Sequence, residues 1–312
     1  MIPVFPEQLT AASEEAGWEV IYNQLGRGVM HGEFLQAEGK NLVVAREKYT
    51  HAIHGIGSAA PDNLAFLIQL NKSPGRFNGV STCQSKAFVL SPRVEFDYFA
   101  NQGQDFLTIQ VNQASFIENI KKLRASNGTE PDFSKWSCIR MPQHILGPLG
   151  NHIGQFLHQV PFLETVAVDS SREVNEDSIL QLLSLLFLDD TVDGKSPFQP
   201  DKSKRSKSVD LATDFIHHNL GGALTIPEIC EAADCSLRTL EYGFRERYDL
   251  TPALFIKMHR MNRARRELLG ASPDEATVAK VVRSCGINHH SRFSMEYREM
   301  FGERPSETLH SS

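Results

Sequence analysis

The sequence predicts an α+β fold, in which an amino-terminal β-barrel or β-sandwich-like domain with helices precedes an all-α carboxy-terminal domain with two helix-turn-helix units. Short β-branched and aromatic segments separated by turn residues occupy residues 18–115, which is typical of antiparallel barrels and sandwiches. Beyond that point apolar residues recur at helical spacing. A diverged repeat with the pattern helix, turn, helix occupies much of the last hundred residues.

Four segments carry the strand prediction. They are residues 63–70, 86–90, 94–99 and 106–111, and turn signals such as Asn78-Gly79 separate them. Five large side chains in these segments either line a pocket for a small molecule or form a plain core: Phe66, Ile68, Phe88, Phe96 and Phe106.

The region after residue 115 contains two long candidate helices, 143–159 and 173–190. The second is apolar almost all round, so it is either an internal core helix or a contact between two copies of the chain. Residues 191–207 are rich in Pro, Gly, Ser and Lys, which predicts a flexible linker. The chain therefore divides into a regulatory and dimerisation domain at 1–190, the linker at 191–207 and a second domain at 208–312.

Composition favours a globular protein of the reducing cytoplasm. The chain of 312 residues is long enough for two cores, and its hydrophobic content of 41% and charged content of 22% are ordinary. Neither a leader segment nor an apolar run long enough to cross a bilayer is visible, so we expect no membrane partner. The cysteines are odd in number and form no CxxC pair, which argues against a disulfide framework or a zinc finger: Cys83, Cys138, Cys230, Cys235 and Cys285.

The repeat aligns residues 226–244 with residues 278–297. The offset between the copies is 52 residues at the turn and 53 in the following helix, because the second copy has one extra residue at the start of its last helix. Small residues at the turn, Ala233 and Cys285-Gly286, let two helices approach closely. Gly286 also tolerates the left-handed backbone that ends a helix.

The helix after each turn is predicted to have two different faces. Ser236 and Asn288 offer side-chain oxygens as N-caps at its start. Apolar residues four apart, such as Leu240 and Phe244, face the core, whereas the opposite face is polar. A helix presented in this way fits the major groove of DNA, with its first turns on the base edges.

A longer helix predicted over residues 252–269 separates the two units. It begins at Pro252 and ends before Gly270, both of which suit those positions. Such a spacer would place the two recognition helices about one turn of DNA apart. Four residues form its predicted buried stripe: Leu254, Met258, Met261 and Leu268.

Net charge counts against DNA binding. The whole chain carries −6, and from residue 208 onward 13 Lys and Arg stand against 15 Asp and Glu. A basic face must then come from local clusters. The first cluster, at Arg260, Arg263, Arg265 and Arg266, contacts phosphates or forms internal ion pairs. The second, at Lys202, Lys204, Arg205 and Lys207, either follows the DNA backbone or belongs to a merely solvated linker.

The block from 208 to 309 resembles the DNA-binding domain of the AraC/XylS family of transcription regulators. The matching features are 229–236, Arg238-x-Leu240-x-x-x-Phe244, 250–252, 260–269 and 285–305, about a third of the chain. Three positions depart from the family pattern. Asp234 stands where Gly is usual, and Tyr242 and Met295 stand where Arg is frequent.

The resemblance implies a transcription regulator, with promoter DNA and RNA polymerase as partners and a homodimer as its assembly. It implies that Arg238 donates to guanine and Glu241 accepts from cytosine, against the alternatives of a phosphate contact and a surface ion pair. The candidate DNA-binding residues are Ser236, Arg238, Thr239, Glu241, Tyr242, Asn288, His290, Ser291, Arg292 and Met295.

The amino-terminal part resembles the ethanolamine-operon regulators of the same family, through residues 21–25 and 31–34. This resemblance implies a cupin-like barrel that holds a small effector. A related branch of the family controls virulence and quorum-sensing genes, so the regulated process is either metabolic or of that kind.

Two other classes of protein stay open at this point. The first is a metal-dependent cupin enzyme fused to a DNA-binding tail. Against it, His51 and His54 are three apart, and on a strand such residues point to opposite faces. We therefore expect no catalytic residues, no metal and no cofactor. The second is an interaction module whose DNA-binding helices have decayed, an alternative that the acidic balance leaves open.

Overall fold

The computed structural model describes residues 1–123, 131, 133–158, 170–188, 203–274 and 276–311. The predicted α+β class is confirmed, because antiparallel sheets occupy the amino-terminal part and helices occupy the carboxy-terminal part. Among the helices of the described part, none is both long and apolar enough to span a bilayer.

The strands form two sheets. One has the order β1-β3-β4-β11-β6-β9-β12 and the other the order β2-β5-β10-β7-β8, with every pair antiparallel. Both sheets are open, so the sandwich alternative holds and no closed barrel forms in the described residues. The strands are β1 (Ile2–Pro3), β2 (Glu19–Gln24), β3 (His31–Glu38), β4 (Leu42–Tyr49), β5 (Ile53–Ser58), β6 (Asn63–Gln69), β7 (Gly75–Phe77), β8 (Val80–Ser81), β9 (Lys86–Leu90), β10 (Glu95–Ala100), β11 (Asp105–Asn112) and β12 (Ser137–Arg140).

Strand β6 in the middle of the larger sheet is buried on both faces, which explains why it is an almost continuous apolar run. Leu67 points into the core between the two sheets. Phe66 and Ile68 point the other way, because successive side chains in a strand alternate. Helices cover that outer face, and they are α2 (Gln113–Leu123), α3 (Gln143–His158) and α4 (Ser170–Leu185), whereas α1 (Pro6–Glu15) packs beside β2.

Helix α4 covers most of the apolar segment 173–190, and it is an internal core helix, the first of the two alternatives for this segment. Ile179 and Leu183 are fully buried in the core that α4 shares with α2, α3 and the larger sheet. A contact between two copies of the chain would have to use the residues that α4 leaves exposed, such as Leu185.

Seven helices form the carboxy-terminal part: α5 (Lys204–Asn219), α6 (Ile226–Ala232), α7 (Leu237–Tyr248), α8 (Pro252–Leu269), α9 (Val278–Ser284), α10 (His290–Phe301) and α11 (Pro305–Leu309). The predicted spacer helix coincides with α8. Its start is fixed by Thr251, whose side chain accepts a hydrogen bond from the Leu254 amide, and by Pro252 in the first turn.

Two details of the sequence prediction are wrong. Helix α5 begins at Lys204, with Ser203 as its N-cap, so the last four residues of the expected linker are helical; residues 191–202 lie outside the described part. Leu254 is 38% exposed, and Phe255, one position later, is fully buried in its place. Met258, Met261 and Leu268 are buried as predicted, and the buried side of α8 contacts both strand β2 and the neighbouring helices.

Candidate nucleic-acid interface

The first helix-turn-helix unit consists of α6 and α7. Ala233 is fully buried where the two helices meet, as its size predicts. Asp234 has a φ of +46°. This left-handed conformation explains why Gly is usual in the family and why Asp, which tolerates it better than most residues, can replace it. The Ser236 hydroxyl then accepts a hydrogen bond from the Thr239 amide at 3.2 Å, which confirms the predicted N-cap.

The first recognition helix, α7, has the two predicted faces. Leu240 and Phe244 are fully buried on its inner side. On its outer side Arg238 and Glu241 are exposed, and Tyr242 is 53% exposed. The Arg238 guanidinium lies 5.5 Å from the centre of the Tyr242 ring. That cation–π contact holds the arginine along the exposed face.

The second recognition helix, α10, starts one residue later than its repeat partner. The helix begins at His290, and the preceding His289 makes no side-chain cap, so the N-cap prediction for Asn288 is wrong. The inserted residue moves the asparagine away from the helix start. Asn288 is exposed all the same, and so are Ser291 and Arg292.

Polar and apolar groups mix on the outer face of α10. Met295 is 58% exposed, an unusual position for so large an apolar side chain, and one suited to a thymine methyl group. Arg292 donates to Glu296 at 2.9 Å, and Lys257 of α8 lies 2.6 Å from the same carboxylate. Burial opposes the charge on Glu296, but the hydrogen bonds from Lys257 and Arg292 outweigh it and hold its pKa below the ordinary value.

The arginines of α8 bind inside the protein rather than facing solvent. Arg260 donates to the Leu220 carbonyl at 3.0 Å, and Arg263 pairs with Glu267 at 2.7 Å. Arg265 pairs with the carboxylates of Glu7 at 2.8 Å and Glu303 at 2.6 Å. Arg266 donates to the Asn23 side chain at 3.2 Å. Of the two alternatives for this first basic cluster, the structure therefore shows internal ion pairs rather than side chains available for phosphates.

The second basic cluster remains a candidate for the DNA backbone. Lys204, Arg205 and Lys207 are exposed in the first turn of α5, where Arg205 also pairs with Glu246 at 3.1 Å. Lys202 lies outside the described residues.

Sequence reasoning missed the contact between the sheet domain and α8. Asn262 bonds to the main chain of β2, and His259 lies 3.1 Å from His54 of β5. A signal was present, since His259, Asn262 and Arg265 are polar residues at helical spacing on one side of α8. That spacing did not reveal what the polar stripe would touch.

Two of the five side chains that were predicted either to line a pocket or to form a plain core border a cavity, Phe96 and Phe106. A cavity of about 40 Å³ lies between the two sheets, and Phe96, Phe106 and Glu47 are among the residues that line it. Phe66 and Ile68 belong to the other core, against the helices. Phe88 packs in the core between the sheets without lining this cavity.

Comparison with known proteins gives a family match in the carboxy-terminal part. Residues 229–311 match the family described as "Helix-turn-helix domain". The "Probable thc operon regulatory protein" of Rhodococcus erythropolis is 35% identical over 101 residues, 32% of this chain and 30% of that protein. The "XylDLEGF operon transcriptional activator" of Pseudomonas putida is 30% identical over 107 residues, 34% of this chain and 33% of that protein.

A solved structure gives a similar result. The probable AraC family transcriptional regulator from Rhodopseudomonas palustris is 32% identical, with 33% of this chain and 95% of that chain covered and a TM-score of 0.31. The chain spans about a third of the length of the curated relatives that it matches. Residues 229–311 of this chain therefore form a domain of the helix-turn-helix family, and the chain is similar to the operon regulators named above.

Proposed function

We propose that the chain is a sequence-specific transcription regulator, in which α7 and α10 read two neighbouring major grooves of promoter DNA. The observation that carries the proposal is the pair of recognition helices with exposed polar faces on either side of one continuous helix. Helix α8 has 18 residues, which corresponds to a length of about 27 Å. Two recognition helices separated on this scale suit successive grooves on one side of a duplex, about one turn apart.

The same proposal assigns the remaining roles. Arg238, Glu241 and Tyr242 in α7, and Arg292 and Met295 in α10, contact base edges. Lys204 and Lys207 contact the backbone, which compensates for the acidic balance of the domain.

The assembly and its partners complete the proposal. The protein works in the cytoplasm as a homodimer that recruits RNA polymerase, with residues 1–190 as the regulatory part and with a small effector shifting the population that binds DNA. It catalyses no reaction. His51 lies 2.9 Å from the Arg27 carbonyl, apart from the His54 cluster, so the pair offers no metal site for a cupin enzyme.

Binding to DNA fragments tests the proposal directly. Purified full-length protein is titrated into labelled fragments from upstream of its own gene and of neighbouring genes, with a scrambled fragment of the same length as the control. We expect at least one fragment to bind about 10³-fold or more tightly than the scrambled one. Equal affinity for every fragment, or no binding at low salt, would support decayed recognition helices instead.

A further inference from the structure

Three histidines from three different elements meet at the boundary between the sheet domain and the helical domain. His54 lies on β5, His217 on α5 and His259 on α8. One ring nitrogen from each lies within 4.8 Å of the others. His54 is fully buried, His259 is 2% exposed and His217 is half-buried. None of these residues belongs to the proposed DNA surface.

The ring nitrogens are arranged as metal ligands would be. His54 Nδ1 and His259 Nε2 are 3.1 Å apart. Two ligands at about 2.05 Å from a tetrahedral zinc ion would be separated by about 3.3 Å. These two nitrogens are within hydrogen-bond distance of each other, whereas His217 Nε2 is buried without a hydrogen bond.

Asp97 lies beside the other ring nitrogen of His54. Its Oδ1 is 3.3 Å from His54 Nε2, an ion-pair distance without the alignment of a hydrogen bond, and a carboxylate at this place favours the tautomer in which Nδ1 is free to bind a metal. The Tyr248 hydroxyl donates to the other oxygen of Asp97 at 2.6 Å.

The other two rings are in a form that can bind a cation. Each neutral imidazole offers one nitrogen lone pair, and a shift of the His259 proton from Nε2 to Nδ1 would free the nitrogen that faces His54.

We propose that His54, His217 and His259 bind one divalent transition-metal ion, with Zn²⁺ as the preferred occupant. Three imidazoles suit zinc and its neighbours in the first transition row and do not suit Mg²⁺ or Ca²⁺, which prefer oxygen ligands. Because β5, α5 and α8 each provide one ligand, the bound ion joins the sheet domain to the helices that carry the first helix-turn-helix unit.

The test uses full-length protein freed of metal with a chelator. Zn²⁺ is titrated in competition with a chromophoric chelator, and Mg²⁺ and Ca²⁺ serve as controls. We expect one Zn²⁺ per chain with a submicromolar Kd, and a rise in melting temperature of roughly 5 °C at saturation. Co²⁺ should give the visible absorption of a tetrahedral site.

Matched variants separate this site from ordinary surface binding. His217→Ala removes the half-buried ligand and should weaken Zn²⁺ binding at least 100-fold, with His259→Gln as a second variant. His218→Ala is the control, because His218 is the next residue on α5, is exposed, and contacts only its own helix at the Asp214 carbonyl. It should bind Zn²⁺ like the unmodified chain.

Two results would overturn the proposal. One is the absence of stoichiometric Zn²⁺ binding by the folded chain, and the other is equal Zn²⁺ affinity in His217→Ala and His218→Ala. None of these measurements uses DNA, so they test the metal site independently of the proposed function.

Discussion

Asn262 of α8 exchanges two hydrogen bonds with the main chain of Gln24 at the end of β2. The Gln24 amide donates to Asn262 Oδ1 at 3.0 Å, and Asn262 Nδ2 donates to the Gln24 carbonyl at 2.9 Å. The side-chain amide thus pairs with the strand as a neighbouring strand would. The two residues are 238 positions apart in the chain, so this pair joins the sheet domain to the helix between the two DNA-binding units.

We expect Asn262→Ala to reduce the free energy of unfolding by about 2–3 kcal/mol, because both main-chain groups of Gln24 would stay buried without partners. Urea denaturation measures the change. Asn219→Ala is the matched control, since Asn219 is exposed and its amide reaches only the Phe215 carbonyl one turn earlier in α5. A loss in Asn262→Ala no larger than in the control would show that this pair contributes little.

Arg265 is expected to be the most costly arginine of α8 to replace. It is 4% exposed, pairs with Glu7 and Glu303, and lies 3.9 Å from the centre of the Phe5 ring. Arg265→Met leaves two carboxylates without a cation, at a cost of about 2–4 kcal/mol. Arg263→Met, which removes a partly exposed pair with Glu267, should cost less than about 0.5 kcal/mol. Equal losses in urea denaturation would contradict the structure.

Glu47 predicts a specific dependence of stability on pH. Burial raises its pKa to about 7, although the Tyr49 hydroxyl donates to its carboxylate and opposes the rise. The pKa of Glu47 is higher in the folded state than in the unfolded state. Its contribution to the stability of the fold is therefore fully present below about pH 4.5 and is lost as the pH rises to about 7.

We therefore compare the free energy of unfolding of Glu47→Gln with that of the unmodified chain. The difference should shift in favour of the variant by up to about 3 kcal/mol as the pH rises from 4.5 to 8. Urea denaturation of both proteins at the two pH values gives the difference, in which the other titrating groups cancel. Glu14→Gln, at an exposed position on α1, serves as the control and should show no such gain. A constant difference across this pH range would rule out a buried, protonated Glu47.

Replacement of the two turn residues, Ser236 and Asn288, by alanine should change the free energy of unfolding by different amounts. Ser236→Ala removes the N-cap of α7 and should cost about 1 kcal/mol in unfolding free energy. Asn288→Ala should cost close to nothing, because Asn288 caps no helix. Thermal and urea unfolding of both variants will compare them, and similar losses would indicate that Asn288 stabilises the second unit in another way.

Arg238 and Arg292 provide the sharpest prediction about DNA. If each contacts a base, replacement by alanine should weaken binding to the preferred fragment by about 10–100-fold and leave binding to scrambled DNA nearly unchanged. Fluorescence anisotropy over a series of salt concentrations measures both. Lys72→Ala, at an exposed turn of the sheet domain, is the control. Uniform weakening on all sequences, with a smaller salt slope, would identify phosphate contacts instead.

Local features of the sequence were sufficient for the helical framework. The bounds of α8, the turn at Ala233 and the cap at Ser236 follow from residues within a few positions of one another, because helix starts and ends are set by short-range hydrogen bonds and backbone preferences. The strands β6 and β9 were predictable for the same reason, from apolar runs bounded by turn residues.

Only the tertiary structure decided which polar side chains are available for binding. Arg265 and Arg266 belong to a run of basic residues, yet their partners lie near the start of the chain, at Glu7 and Asn23. His54 has no suitable histidine beside it in sequence, and its neighbours in space, His217 and His259, come from helices that pack on the sheet domain. Such contacts depend on how two separately patterned domains dock, and periodicity within either domain carries no information about its partner surface.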